Sequence, residues 1–271
     1  MTGKELKSTL KNGGRIYGSA IVSPSPHWPG AVGQAGLDFV FLDLEHTAWS
    51  RDKLAQMCVV YASLGLPPIV RTPSPDPFEA SKALDGGAVG ILAPYIETVD
   101  QLQALVGAVK YKPLKGEKLQ QVLQGKIRLA PAMQKYTASR NENNILLINV
   151  ESVPAFDNLD ALLAVPGLDG IIIGPHDLSC SMGIPEEYQN DEFKQTVNEI
   201  IKRARARKIA VGIHFSETAQ VQIDWVQLGV NIIMHSSDIS IYSRALKNDI
   251  AEIRTAFGDE ITGKGGPEMI I

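Results

Sequence analysis

The sequence predicts a single α/β domain folded as a (β/α)8 TIM barrel, and three observations point there. Short apolar runs alternate with amphipathic helical patterns along most of the 271 residues. Four runs share one grammar, a Gly leading into a β-branched segment: Gly36-Leu37-Asp38-Phe39-Val40, Gly87-Ala88-Val89-Gly90-Ile91, Gly167-Leu168-Asp169-Gly170-Ile171 and Gly229-Val230-Asn231-Ile232-Ile233. Finally, acids, a histidine and an arginine fall just past the ends of several runs. A barrel of roughly 250 residues folds as one unit, and it gathers the C-terminal ends of its strands on one face.

The first strand is expected at Arg15–Val22 and the second at Leu37–Leu42, running into Asp43-Leu44-Glu45-His46. A helix over Arg51–Leu64 leads to the third strand, Pro67–Val70, which runs into Arg71. The helix Pro77–Leu84 leads to the fourth strand, whose Gly87 suits the left-handed position that ends a helix. The helix Val99–Val109 follows. Ile145–Val150 is the fifth strand and runs into Glu151. Gly170–Ile173 is the sixth and runs into Gly174-Pro175-His176-Asp177, with the linker containing Pro166 before it. The helix Glu192–Ala206, the seventh strand Ile209–Ile213, the helix Glu217–Gln227, the eighth strand ending near Ile233 and the helix Ser240–Phe257 complete the order. Continuous apolar strands of this kind are buried on both faces, as parallel strands are. An open doubly wound sheet is the alternative. It needs a Gly-rich phosphate turn after the first strand, where Ser23-Pro24-Ser25-Pro26 stands instead.

Two segments break the rhythm. Lys110–Asn144 carries many charges and amides with Pro113, Gly116, Gly125 and Pro131. It reads as an elaborated loop with a short helix or two, near the active-site face or a subunit contact. From about 258 to 271 the chain reads as a C-terminal tail, frayed or docked on a neighbour.

A formal charge of −4 argues against nucleic acid as a partner. The basic run Lys202–Lys208 reads as the solvated C-terminal end of a helix, where cations offset the macrodipole. Cys58 and Cys180 have no metal or redox spacing, and Cys58 falls on an apolar helical pattern. The first residues lack an apolar leader core, and no run approaches the roughly 20 apolar residues of a membrane span, so a cytoplasmic protein without membrane partners is expected.

The strand ends carry the chemistry. Glu151 and Asp177 follow consecutive strands and would lie side by side. Hard divalent cations such as Mg²⁺ or Mn²⁺ take one or two carboxylates plus substrate and water oxygens. Each residue taken alone reads as easily as a cap or a surface charge. His46 titrates near neutrality and suits a general base, with a carbonyl-bonded core histidine as the plain alternative. Asp43 and Glu45 beside it make a site more plausible, because so many polar groups are costly to desolvate without a role. Arg71, ahead of the proline-stiffened loop Thr72–Pro77, suits stabilisation of an enolate or carboxylate; pairing with Asp76 is the alternative. The turn Gly174-Pro175-His176-Asp177 offers backbone N–H groups to a substrate carboxylate. The predicted strands contain no lysine, which disfavours a Schiff-base aldolase. His214, Ser216, His235 and Ser236, past strands seven and eight, read equally as contacts for the far end of a substrate or as loop caps.

At these residues the chain resembles the HpcH/HpaI family of metal-dependent 2-oxo-acid aldolases. The motifs are Asp43-x-Glu45-His46, Val70-Arg71, Pro94, Glu151 and Gly174-Pro175-x-Asp177-Leu178-Ser179, and the resemblance is strongest from about Gly36 to Gly183. It implies a reversible cleavage of 4-hydroxy-2-oxo acids into pyruvate and an aldehyde. It implies a divalent metal, Mg²⁺ or Mn²⁺ foremost and Co²⁺ or Zn²⁺ otherwise, held by Glu151 and Asp177. His46 would move the 4-hydroxyl proton, Arg71 would stabilise the enolate, and Asp85 would match the carboxylate that raises the basicity of the histidine. Read on its own, Asp85 is a helix-end residue, reaching His46 only through a neighbouring subunit or an unusual loop path. The resemblance also implies a homo-oligomer, a hexamer. Asn149 replaces a family Gln, His176 replaces a small residue, Gly116-Glu117-Lys118-Leu119 replaces an Arg-Gly-x-Gly signature, and Ser19-Ala20 lacks a first-strand tryptophan. The competing readings are a related lyase acting on a CoA thioester or as an oxaloacetate decarboxylase, and a non-catalytic 2-oxo-acid-binding barrel.

Overall fold

A computed structural model describes residues 1–216 and 218–260. The elements run α1 (Gly3–Lys11), β1 (Ile16–Ile21), α2 (Trp28–Val32), β2 (Phe39–Asp43), α3 (Arg51–Ser63), β3 (Pro68–Arg71), α4 (Pro77–Asp85) and β4 (Gly90–Ala93). They continue with α5 (Val99–Lys110), α6 (Gly116–Leu123), α7 (Pro131–Arg140), β5 (Ile145–Val150), α8 (Val153–Asp157), α9 (Leu159–Leu163) and β6 (Gly170–Ile173). α10 (Pro175–Ser181), α11 (Asp191–Ala206), β7 (Ala210–Phe215), α12 (Ala219–Gln227), β8 (Ile232–Ser237) and α13 (Asp238–Phe257) follow. The strands close into one parallel barrel in sequence order, so the open doubly wound alternative falls. The tail beyond Glu260 and the expected helix start at position 217 lie outside the described residues.

Side-chain alternation divides the core into two. Ile16, Phe39, Phe41, Ile69, Leu92, Ile145, Leu147, Ile172, Ala210, Ile232 and Met234 form the barrel interior. Val40, Leu42, Val70, Ile91, Ile148, Ile171 and Val211 face outward against the helices. Gly18 makes room inside the barrel: a Cβ there would meet the Phe39 ring at 2.4–2.7 Å. Leu6 and Leu10 of α1 join the interior set. α1 lies at the N-terminal ends of the strands, where a Cβ on Gly3 would strike the Asn143 carbonyl and the Val89 side chain. The helix therefore stops the barrel floor with apolar contacts and leaves the opposite mouth to the polar strand ends.

The expected loop at 110–144 holds two helices, α6 and α7, as its composition suggests. Its location corrects the expectation of a place near the active-site face. The segment joins α5 to β5, and helix-to-strand connections lie at the floor. Asn144 and Asp169 tie it there through Lys110, whose ammonium bonds the Asn144 carbonyl at 2.6 Å and the Asp169 carboxylate. Among the described residues no helix is long and apolar enough to cross a membrane.

Candidate active site

Strand register places the first pair. Asp43 and Arg71 are partners on β2 and β3, so both side chains leave the ladder at one level. Arg71 donates Nε–H to Asp43 Oδ1 at 2.7 Å and Nη2–H to Oδ2 at 2.6 Å. Its Nη1 lies 3.0 Å from Glu45 Oε2. Asp43 also accepts the backbone N–H groups of Glu45 (3.0 Å) and His46 (3.4 Å), which folds the chain tightly past the end of β2. Burial acts to raise the Asp43 pKa, but the bond and charge of Arg71 outweigh it and hold the carboxyl below its usual range. The surface pairing of Arg71 with Asp76 is thus replaced, and Asp76 caps α4 instead.

His46 is half-exposed at the rim, with Nε2 3.7 Å from Glu45 Oε2. Asp85 is not near it. Asp85 ends α4 at the floor, its side chain is 68% exposed, and it pairs with Lys112 at 2.6 Å. Within one chain Asp85 is the helix-end residue its position predicts, and no loop path carries it to His46. A helix that precedes a barrel strand ends at the wrong end of the barrel for that task.

Glu151 and Gly174 follow register partners, Val150 of β5 and Ile173 of β6. Glu151 is only 4% exposed. One carboxylate oxygen accepts the Tyr95 N–H at 2.8 Å, and the other accepts the Asn149 amide. Burial pushes its pKa up to about 7, against the lowering effect of those two bonds; the charges of Glu45 and Asp177 push the same way as burial. Gly174 must lack a side chain, since a Cβ would stand 2.8 Å from Glu151 Oε2. Pro175 and His176 then lead into the half-buried Asp177 in the first turn of α10. The N–H groups of such a first turn have no intrahelical acceptor. The His176 imidazole turns toward Glu186 (3.6 Å) and Cys180 (4.0 Å) on its own side of the rim.

From the far wall, His214 of β7 sets its ring edge-on to Phe41 at 5.2 Å, and Phe41 also lies under Arg71. Burial first, then the Arg71 charge, push its pKa down to about 4, against the raising effect of Asp43 and the Ser236 backbone. Sequence reasoning left Glu45 without a role and missed Tyr95 altogether. Tyr95 directly follows Pro94 at the end of β4, and that position was the one available signal.

The residues suit a divalent cation. Glu151 and Asp177 are mutually repelling carboxylates, and neutral donors hold Glu151 in place. Among the described residues no group of three or more His, Cys, Asp or Glu forms a cage by itself. Two carboxylates are what Mg²⁺ or Mn²⁺ commonly takes when water and substrate supply the other oxygens. The HpcH/HpaI aldolase/citrate lyase pattern matches residues 22–244. The chain belongs to this family. A 2-keto-3-deoxy-L-rhamnonate aldolase of Salmonella paratyphi B is 30% identical over 257 residues, covering 92% of this chain and 93% of that protein. An HpcH/HpaI aldolase/citrate lyase family protein from Burkholderia cenocepacia J2315 superposes with a TM-score of 0.79 at 25% identity, covering 93% and 99%. The citrate synthase SbnG also gives 0.79, at 26% identity, covering 94% and 99%. Family membership implies carbon–carbon lyase chemistry on small 2-oxo acids.

Proposed function

We propose that the protein is a divalent-metal-dependent aldolase that reversibly cleaves 4-hydroxy-2-oxo acids into pyruvate, or a similar 2-oxo acid, and an aldehyde. The observation that carries this is the buried Glu151 carboxylate, held by the Tyr95 N–H and the Asn149 amide and facing the charge of Asp177. Such a pair gains most from a cation. Mg²⁺ or Mn²⁺ held by Glu151 and Asp177 would supply Lewis acidity to the 2-oxo group. The 2-oxo acid carboxylate would rest on the N–H groups of the Gly174–Asp177 turn, with Asn149 fixing Glu151 beside it.

The protein's own groups then divide the work. His46, exposed at the rim, accepts the proton of the substrate 4-hydroxyl. The C3–C4 bond breaks as the aldehyde carbonyl forms, and its electron pair passes into the pyruvate enolate. Arg71 stabilises the enolate oxygen, and Asp43 holds the guanidinium at that position. Protonation at C3 yields pyruvate. In reverse, the same groups add pyruvate to an aldehyde. The homo-oligomer implied by the resemblance belongs to this reading, with the acceptor end of the pocket completed by the first strand-to-helix loop and a neighbouring chain.

The test combines pyruvate with a panel of aldehydes and Mg²⁺ or Mn²⁺, and identifies adducts by mass. Glu151→Gln is expected to abolish both metal dependence and turnover. His46→Ala is expected to keep metal binding and lose about 10²–10⁴-fold in rate. Full activity in EDTA would refute the proposal, and a binder without turnover would show no adduct with any aldehyde.

A further inference from the structure

Tyr95 is the one aromatic residue among the described residues whose backbone is held at positive φ, and its φ is 54°. Bulky residues rarely adopt that region, and they keep it only where the surroundings enforce it. The residue is 49% exposed, so burial does not enforce it. The conformation instead directs two polar groups of the same residue. The backbone N–H donates to Glu151 Oε1 at 2.8 Å. The phenol faces the Glu45 carboxylate and senses the charges of Glu151 and Asp177 as well.

Glu45 is the second half of the connection. Its Oε2 lies 3.0 Å from Arg71 Nη1 and 3.7 Å from His46 Nε2. One residue from the end of β4 therefore faces a carboxylate beyond β2 with its side chain and holds a carboxylate beyond β5 with its backbone. We propose that Tyr95 is a positioning residue with two separable parts: its N–H fixes Glu151 for the divalent cation, and its phenol fixes Glu45 against Arg71 and His46. The inference deepens the aldolase reading and rests on its metal site.

Three substitutions separate the parts. Tyr95→Phe removes the hydroxyl alone. Tyr95→Gly removes the ring but takes positive φ freely, so the N–H keeps its direction. Tyr95→Val resists positive φ and turns the N–H away. Two readouts are needed: Mn²⁺ affinity by calorimetry without substrate, and exchange of the pyruvate C3 protons for deuterium by NMR.

For Tyr95→Phe the expected result is Mn²⁺ affinity within about twofold of wild type, with the exchange kcat down about tenfold and KM for pyruvate little changed. Tyr95→Gly should match it in Mn²⁺ affinity. Tyr95→Val should bind Mn²⁺ about tenfold more weakly. Should Tyr95→Val not fold, Tyr95→Gly and Tyr95→Phe still decide the matter. Wild-type exchange in Tyr95→Phe would overturn the phenol's part, and weakened Mn²⁺ binding in Tyr95→Gly would overturn the backbone's part. A wild-type protein that binds no Mn²⁺ would overturn the metal reading itself, which is a distinguishable failure.

Discussion

Replacing Asp43 by Asn tests whether the Arg71 guanidinium is held by this pair. Asp43 is 1% exposed and takes two bonds from Arg71, at 2.7 and 2.6 Å. The substitution turns one acceptor into an N–H₂ group that faces the guanidinium donors. Breaking a buried ion pair from one side costs about 3–5 kcal/mol, because a charge is left unpaired. Glu45 still stands 3.0 Å from Nη1, which places the expected loss at the lower end, about 3 kcal/mol. For a chain of this size that corresponds to roughly 6–10 °C in Tm, read by calorimetry alongside urea unfolding. The double variant Asp43→Leu/Arg71→Met removes both charges. It should be more stable than the sum of its single variants by about 2 kcal/mol. If the single losses simply added to within about 0.5 kcal/mol, the two residues would be energetically independent and the positioning of Arg71 by Asp43 would be refuted.

Other outcomes follow from the same geometry. His214 has a folded pKa of about 4 against an ordinary 6.5, so its stabilising contribution is complete above 6.5 and is lost as pH falls toward 4. That amounts to about 2 kcal/mol between pH 7 and pH 5, and His214→Gln should flatten this part of the pH dependence of the urea midpoint. Gly174→Ala puts a Cβ 2.8 Å from Glu151 Oε2, and calorimetry with Mn²⁺ should show affinity reduced by about tenfold in a protein that still folds. Gly18→Ala drives a methyl into the Phe39 ring at 2.4–2.7 Å and should lower stability by about 1–3 kcal/mol without touching the mouth, as a Tm measurement would show.

The barrel was legible because apolar strands buried on both faces leave an unbroken mark in the sequence. That mark fades where strands become polar. β7 and β8 continue through Phe215 and Ser237, past the expected ends near Ile213 and Ile233. The ladder still pairs Phe215 with His235. Among the site residues, Asp43, Arg71 and Glu151 were legible because each directly ends or follows an apolar run. Asp85 was legible as a helix-end residue, because a helix that leads into a barrel strand ends at the floor, and the role the resemblance implies for it would need a neighbouring chain. The position of 110–144 was available from connectivity, since the segment leaves a helix and enters a strand. Tyr95 left only its place after Pro94 as a signal, because no composition or spacing reports a positive φ in an aromatic residue.

The α6–α7 insertion has a practical consequence. It occupies the barrel end opposite the proposed catalytic groups, and its turn at Gly125 is exposed, with no neighbouring atom within 4 Å of where a side chain would begin. A peptide tag or surface tether grafted at that turn would leave the opposite rim free to exchange reactants. The protein could then be immobilised upright on a solid support, with the polar mouth of its barrel facing the solution.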